Sequence, residues 1–415
     1  MNRLALKATS RTWLRNGHRY VVNTTATLES DVTAGTVNDA DIGEYIAASA
    51  ALHCSDGWAD VGRALEASVN GNSGIAVHLG YYAALRAAMS FLASQGIGVL
   101  NKKHVVITRK GVRVTNGMTH EFAWDALGLW LTLPDSPKEF GSLIVADAYD
   151  LAIWLDAFEP GFLMSRIWTQ WMQQVGLDSV RFIDDRTNRN DASYRPDGIN
   201  PRRAAAVRDT AQLLSGVWQL GEPTDGPFNE LNRHFLRLAI ESAGVVLGLV
   251  GAAFEDAVNA MVAKVIPDLG ARARYVDFLM RRRSPADHLV LRIARRPSGG
   301  RDQEGLEVIA RAVLLLVFAT AEADYMLGNA HYRRDELRFW WKELGADRGL
   351  WSAGRFPSSS DALWPDVSKA LDRLQRWIDG NKAVKPSRHV WHRELRDPLA
   401  VLAGCERIAL WGLRL

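Results

Sequence analysis

The chain has 415 residues, 47% of them hydrophobic and 23% charged, which is typical of a soluble globular protein of about two or three domains. Its formal net charge of +3 is too small to require a polyanionic partner, so nucleic-acid binding would have to depend on local clusters of arginine. The two cysteines, Cys54 and Cys405, exclude a disulfide framework and a zinc site built from cysteines alone.

The sequence carries no signal of export, membrane insertion or a bound cofactor. The N-terminal residues lack the apolar core of a signal peptide. The longest apolar runs, 243–254 and 312–321, are shorter than the roughly 20 residues that a membrane span requires. The sequence also lacks a Walker loop, a dinucleotide-binding fingerprint and a zinc-binding His-Glu-x-x-His motif. We therefore expect a cytoplasmic protein with no membrane contact, no metal and no cofactor.

The predicted elements begin after an irregular arm, residues 1–37, with room for one strand. Apolar residues then recur at helical spacing and predict two helices, at 38–53 and 56–69. A loop rich in Asn and Gly, 70–74, leads from them into an alanine-rich stretch.

The alanine-rich stretch, residues 80–97, predicts the helix around which the chain is organised. Its alanines favour a helix and allow close packing on neighbouring elements. Leu85, Met89 and Leu92 recur at intervals of three and four residues, which indicates a buried stripe. Gly96 is the expected C-terminal cap.

The pattern changes after this helix, where 105–108 and 112–115 are rich in β-branched residues and flank a turn that contains glycine. This arrangement predicts a β-hairpin. Helices are predicted next at 119–133, 140–158 and 161–175.

Farther along the chain stands the motif Arg189-Asn-Asp-Ala-Ser-Tyr194. A helix is predicted after it at 200–220, because Asn and Pro at its start are favourable cap and first-turn residues. The turn-rich segment 221–228 interrupts two helical patterns and is the predicted linker to a second helical region, 229–415.

Two of these segments resemble the HEPN domains, small prokaryotic helical bundles. The Tyr-Tyr-Ala start of the 80–97 helix, its alanine-rich body, its Gly-Ile exit and the following His104 resemble the central HEPN helix. Arg189 and the polar Asn190 resemble a second HEPN motif, in which an Arg and a polar residue are followed, after a gap, by a His. In this chain Tyr194 stands in the position of that histidine.

The resemblance implies a mainly α fold, in which a HEPN-like helical bundle with an inserted β-hairpin is followed by a second helical domain. It covers residues 38–220, with an insertion at about 101–180, and therefore less than half of the chain. Residues 229–415 resemble no family that we can name.

Nuclease members of the HEPN family dimerise and cleave RNA without a metal ion, and their chemistry assigns roles to the motif. The resemblance makes Arg189, Asn190 and Tyr194 the candidate catalytic residues. Arginine supplies fixed positive charge, and histidine exchanges a proton near neutral pH. With an ordinary pKa of about 10, a tyrosine such as Tyr194 is a poor base at pH 7.

Three interpretations of the Arg189 motif are open. The motif is a structural remnant that ties helices together, or part of a non-catalytic groove that binds RNA, a nucleotide or a partner protein. Alternatively, it belongs to an active ribonuclease in which a nearby histidine, such as His78 or His104, is the base.

An arginine-rich segment between residues 272 and 301 indicates a second candidate site. Tyr275 and Phe278 lie within it, and guanidinium groups with aromatic rings are the usual means of binding phosphates and bases. A solvated or salt-bridged helix face is the alternative. The candidate nucleic-acid-binding residues are Arg281, Arg282, Arg283, Arg295 and Arg296.

The functional expectation that follows is a HEPN-like component of an anti-phage defence or toxin–antitoxin system. It would bind RNA or a partner protein encoded nearby, as a homodimer or a subunit of a complex, without intact nuclease chemistry. One alternative is a metal-independent endoribonuclease that uses Arg189 and a nearby histidine, and another is a structural subunit of a larger defence complex.

Overall fold

Helices form most of the chain, and short strands occur only in the N-terminal half of the part that the structure describes. A computed structural model describes residues 12–177, 179–194, 204–224, 226–281, 287–297, 305–332, 334–351, 357, 359–381 and 387–413. The mainly α class predicted from the sequence is confirmed.

The N-terminal elements are three helices and a three-stranded antiparallel sheet in the order β1-β2-β3. They are α1 (Thr24–Ala34), α2 (Asp39–Val69), α3 (Ser73–Ser94), β1 (Ile97–Val99), β2 (Lys103–Thr108) and β3 (Gly111–Asn116). The β2–β3 pair, in which Thr108 faces Gly111, is the predicted hairpin.

Shorter elements follow the sheet and include a second, two-stranded antiparallel pair. They are α4 (Thr119–Leu131), α5 (Ser136–Ser142), β4 (Val145–Ala146), β5 (Tyr149–Asp150), α6 (Leu151–Phe158), α7 (Trp168–Val175), α8 (Ser179–Tyr194) and α9 (Val207–Leu220).

The C-terminal half contributes only helices among the described residues. They are α10 (Asn229–Val246), α11 (Ala252–Val265), α12 (Leu269–Leu279), α13 (Leu289–Ala294), α14 (Leu306–Asn329), α15 (Arg338–Asp347), α16 (Trp364–Gly380), α17 (Arg388–Leu402) and α18 (Glu406–Gly412).

Several helix bounds differ from the predicted ones. In its described part, residues 12–37, the arm contains the helix α1 and no strand. The two helices predicted at 38–53 and 56–69 are the single helix α2. The central helix begins earlier than predicted, because the Asn72 side chain accepts a hydrogen bond from the amide of Ile75 and caps α3.

The predicted helix at 140–158 is divided into α5, the β4–β5 pair and α6. The Arg189 motif lies at the end of the helix α8, which extends to Tyr194. The helix predicted at 200–220 is α9, and its predicted start at 200–203 lies outside the described residues.

The core is centred on α14, which packs against α2 and α3. A Cβ added to Gly57 on α2 would lie 2.6 Å from a methyl carbon of Leu316, so that the absence of a side chain permits this close approach. The indole Nε1 of Trp58 donates to the Thr320 hydroxyl at 3.0 Å, which fixes the same contact. Buried residues on both sides of the predicted linker 221–228 belong to one hydrophobic cluster.

Within the described residues, α3 is the helix long and apolar enough to cross a membrane. In its most apolar window, 67% of the residues are buried inside the protein. This is the burial expected of the core helix of a soluble protein.

Candidate active site

One face of the helix α8 is buried in the interior of the protein. Phe182, Asp185 and Arg189 recur at helical spacing and are buried, although two of them are charged. The ring of Phe182 stacks on Trp124 of α4 with 4.8 Å between ring centroids. The carboxylate of Asp185 accepts two hydrogen bonds from the guanidinium of Arg311 on α14. These two contacts fix α8 and hold Arg189 against α3.

Arg189 is the centre of a cluster of aromatic rings and imidazoles. Its side chain leaves the residue only 8% exposed, and its Cζ lies 5.0 Å from the centroid of the Tyr81 ring and 5.6 Å from that of Tyr82. Its Nη2 lies 3.4 Å from Nδ1 of His120. We call His78, Tyr81, Tyr82, His120 and Arg189 the Arg189 cluster.

A hydrogen-bonded chain determines the tautomer of His120. The Trp124 indole can only donate, and it donates to the Tyr81 hydroxyl oxygen at 3.1 Å. The Arg189 guanidinium can also only donate, and its Nη2 lies 3.4 Å from Nδ1 of His120, so Nδ1 is an acceptor and receives the Tyr81 hydroxyl proton at 2.9 Å. Since Nδ1 accepts this bond, the neutral His120 ring carries its proton on Nε2.

His78 is the second imidazole of the cluster, one helical turn before Tyr82 on α3. Its ring centroid lies 4.8 Å from that of Tyr82, and its Nδ1 lies 2.8 Å from the hydroxyl of Ser193 on α8. The side chain is partly exposed, so one side of the cluster faces solvent.

The environment favours the neutral form of both imidazoles. Burial lowers the pKa of His78, and the positive charge of Arg189 lowers it further. Burial also lowers the pKa of His120, with additional effects of Arg189 and Arg186. Burial raises the pKa of Tyr81, which stays protonated as a donor. At neutral pH the site thus combines one fixed cation with two neutral imidazoles.

The motif predicted that Asn190 and Tyr194 lie in the same site as Arg189. In the helix α8 these two side chains are exposed, whereas Arg189 is buried in the cluster. Asn190 is exposed, and Tyr194 is 79% exposed near the end of the helix. No described contact joins either side chain to the imidazoles.

Of the two histidines that the sequence suggested as bases, His78 belongs to the cluster. His104 does not touch Arg189 in any described contact: it is buried in β2, stacks on Phe122 at 4.0 Å, and its Nε2 lies 3.2 Å from the carbonyl oxygen of Gly117. The sequence did not indicate His120, because no motif links a lone histidine at the start of α4 to a distant arginine.

Within the arginine-rich segment, the described candidate residues differ in their surroundings. Arg281 is exposed, and its Cζ lies 5.4 Å from the ring centroid of Phe278. Arg295 is paired with Asp287, whereas Arg296 is exposed. The predicted residues Arg282 and Arg283 lie outside the described part of the chain.

The described residues include one group with the composition of a metal site, His18, Asp41 and Glu44. Its possible ligand atoms lie within 4.8 Å of one another. The Asp41 carboxylate already pairs with Arg15, and this guanidinium opposes the binding of a cation there.

Comparison with known proteins returns no relative. No family model matches the sequence, and no curated protein and no solved structure matches it significantly.

Proposed function

We propose that the protein is a HEPN-like ribonuclease that cleaves RNA without a metal ion at the Arg189 cluster. The observation that supports this most directly is the placement of a buried guanidinium beside two imidazoles, His78 and His120, whose pKa values are both lowered. RNA cleavage through its own 2′-hydroxyl needs a base, a fixed positive charge and a proton for the leaving oxygen.

In this proposal His78 is the base. When its Nδ1–H donates to the Ser193 hydroxyl, Nε2 retains a lone pair that can accept the proton of the 2′-hydroxyl. The 2′-oxygen attacks the neighbouring phosphorus, the bond to the 5′-oxygen breaks, and the imidazolium returns its proton to that oxygen. The products are a 2′,3′-cyclic phosphate and a 5′-hydroxyl, so protons and charge balance.

Arg189 stabilises the additional negative charge on the phosphoryl oxygens during this step. The rings of Tyr81 and Tyr82 hold the guanidinium in place, and the neutral His120 offers its Nε2–H as a further donor to phosphate oxygen. The roles given to His78 and His120 replace the role that the family gives to the histidine at the position of Tyr194.

The test is incubation of the purified full-length protein with total tRNA in EDTA, followed by gel analysis. We expect cleavage that falls at least about 100-fold in Arg189→Ala and in His78→Ala. The exposed residues Arg373 and His392 supply the matched controls Arg373→Ala and His392→Ala, which should leave the rate unchanged. Thermal unfolding of each variant distinguishes lost chemistry from lost fold.

A second candidate function is that of a subunit that binds RNA or a partner protein without cleaving RNA, and the presence of Tyr194 at the family's histidine position favours it. Intact RNA with a retarded band would support this function and contradict the ribonuclease. A protein that neither cleaves nor retards RNA but co-purifies with the product of a neighbouring gene would support a structural subunit. Each case keeps the defence or toxin–antitoxin role that the resemblance implies.

A further inference from the structure

A separate cleft, remote in sequence from the Arg189 cluster, opens between α10 and α12. Its volume is about 780 Å³, within the range of sites that bind small molecules. α10 contributes Arg233 and His234, α12 contributes Tyr275 and Phe278, and Arg281 follows α12 at the same wall. We call this the Arg281 cleft.

Two buried polar groups in the Arg281 cleft have no hydrogen-bond partner among the described residues. His234 is 4% exposed and its Nδ1 is unpaired, and Tyr275 is 9% exposed with an unpaired hydroxyl. A buried polar atom without a partner is destabilising, and such atoms are a minority in folded proteins. Both residues line the cleft, so a bound molecule with hydrogen-bonding groups on its edge would satisfy them.

The imidazoles of the cleft act as neutral hydrogen-bonding groups. Burial lowers the pKa of His234 to about 3 and that of His288 to about 4. The Nδ1 of His288 already accepts from the amide of Val290 at 3.2 Å, which leaves its proton on Nε2. Recognition at this end of the cleft therefore depends on matching donors and acceptors rather than on charge.

The arginines of the cleft are positioned by aromatic rings, by a half-buried ion pair and by a backbone contact. The Cζ of Arg233 lies 5.6 Å from the Tyr275 ring centroid, and its Nε donates to Asp147 at 2.9 Å. Arg281 lies over Phe278, and its carbonyl oxygen accepts a hydrogen bond at 2.5 Å from the buried Arg237. These contacts form a rigid frame.

The charged residues that line the cleft favour the binding of a small anion over that of a nucleic-acid strand. Arg274 and Arg281 are exposed where the cleft meets solvent, and they can bind an anionic group. Glu222 and Glu230 line the same cleft and would repel a continuous phosphate backbone. A ligand with a single anionic end avoids that repulsion.

We propose that the Arg281 cleft binds a nucleoside 5′-monophosphate. Its phosphate lies between Arg274 and Arg281, and the edge of its base pairs with His234 and Tyr275. The carboxylates of Glu222 and Glu230 accept hydrogen bonds from the ribose hydroxyls. The binding does not depend on cleavage at the Arg189 cluster.

Isothermal titration of the full-length protein with AMP, GMP, CMP and UMP tests the proposal, with adenosine and inorganic phosphate as partial ligands. We expect saturable binding of at least one monophosphate, and binding of adenosine and phosphate at least about tenfold weaker. Arg281→Ala should weaken the monophosphate about tenfold or more, and His234→Phe, which keeps a ring of similar size, should weaken it by a similar factor.

The exposed Arg373 again supplies the control, Arg373→Ala, which should bind the monophosphate as the unmodified protein does. The proposal is overturned if none of the four monophosphates binds, or if binding is the same in Arg281→Ala and His234→Phe as in the control. Tighter binding of a single-stranded RNA that is lost in Arg281→Ala would also overturn it. Retained binding in Arg189→Ala separates this cleft from the ribonuclease proposal.

Discussion

Asp185 and Arg311 form an ion pair in the interior of the protein, with the two carboxylate oxygens 2.7 Å and 2.6 Å from Nε and Nη2 of the guanidinium. Both side chains are at most 1% exposed. Arg311 also donates through Nη1 to the carbonyl oxygens of Ala294 and Arg296. One residue thus joins α8, α13 and α14, and it does so on the face of α8 that carries Arg189.

We expect Asp185→Ala to lower the free energy of unfolding by about 3–5 kcal/mol, because it leaves the Arg311 charge buried without its carboxylate. Urea denaturation measures this change. The double variant Asp185→Leu, Arg311→Met should cost less than Asp185→Ala alone, since no uncompensated charge remains. A double variant less stable than the single one would contradict this account.

The stability of the protein should fall as pH rises from 4.5 to 7 because of Glu322. Burial raises the pKa of this carboxyl from 4.5 to about 7, and Gln95 donates a hydrogen bond to it at 3.2 Å. Because the pKa of Glu322 is higher in the folded state than in the unfolded state, its contribution to the free energy of unfolding is fully present below pH 4.5. This contribution is lost as the pH rises from 4.5 through 7 and the buried carboxyl ionises.

Glu322→Gln should therefore be more stable than the unmodified protein at pH 8 by about 1–2 kcal/mol, and the two should converge at pH 4.5. Urea unfolding at both pH values measures the difference. The exposed Glu66 on α2 supplies the control Glu66→Gln, for which we expect no such divergence. An equal gain at both pH values would show that the effect is not ionisation.

The contact between α2 and the C-terminal segment depends on Gly62. A Cβ at this position would overlap the carbonyl oxygen of Ala403, a backbone atom that cannot rotate away. We expect Gly62→Ala to cost about 1–3 kcal/mol in thermal or urea unfolding. Gly128 on α4 is the matched control, since a Cβ there meets nothing within 4 Å, and Gly128→Ala should stabilise the helix by about 0.5–1 kcal/mol.

The proposed RNA cleavage should become faster as pH rises and reach a plateau. The midpoint should lie below the ordinary histidine pKa of 6.5, because burial and Arg189 lower the pKa of His78. Single-turnover rates between pH 4.5 and 8 measure the profile. Ser193→Ala removes the oxygen 2.8 Å from Nδ1 and should lower the plateau about tenfold. A midpoint above 6.5 would contradict the assignment of His78 as base.

Sequence patterns predicted correctly those helices and strands that are determined by residues close together in the chain. The hairpin of β2 and β3 follows from its β-branched residues and the turn ending at Gly111, and α3 follows from its alanines. The helix α8 was not predicted, because a run of polar residues resembles a loop unless a distant partner is known. That partner, Arg311, is more than 100 residues away and makes it favourable to bury Asp185.

The composition of the candidate site was predicted only in part for the same reason. The motif indicated Arg189, and His78 was one of two suggested bases, but the position of His120 depends on how α4 packs beside α3. The sequence spacing of Tyr194 from Arg189 suggested a neighbour in the site, whereas the geometry of α8 leaves that ring in solvent.

The position of α14 has a consequence for the synthesis of the protein. The apolar faces of α2 and α3 are completed by a helix that ends at Asn329, so the ribosome must translate most of the chain before they are covered. Contacts between such distant segments slow folding, and uncovered apolar surface on a nascent chain attracts chaperones. The yield of folded protein in cells should therefore depend on the amount of chaperone that is available during translation.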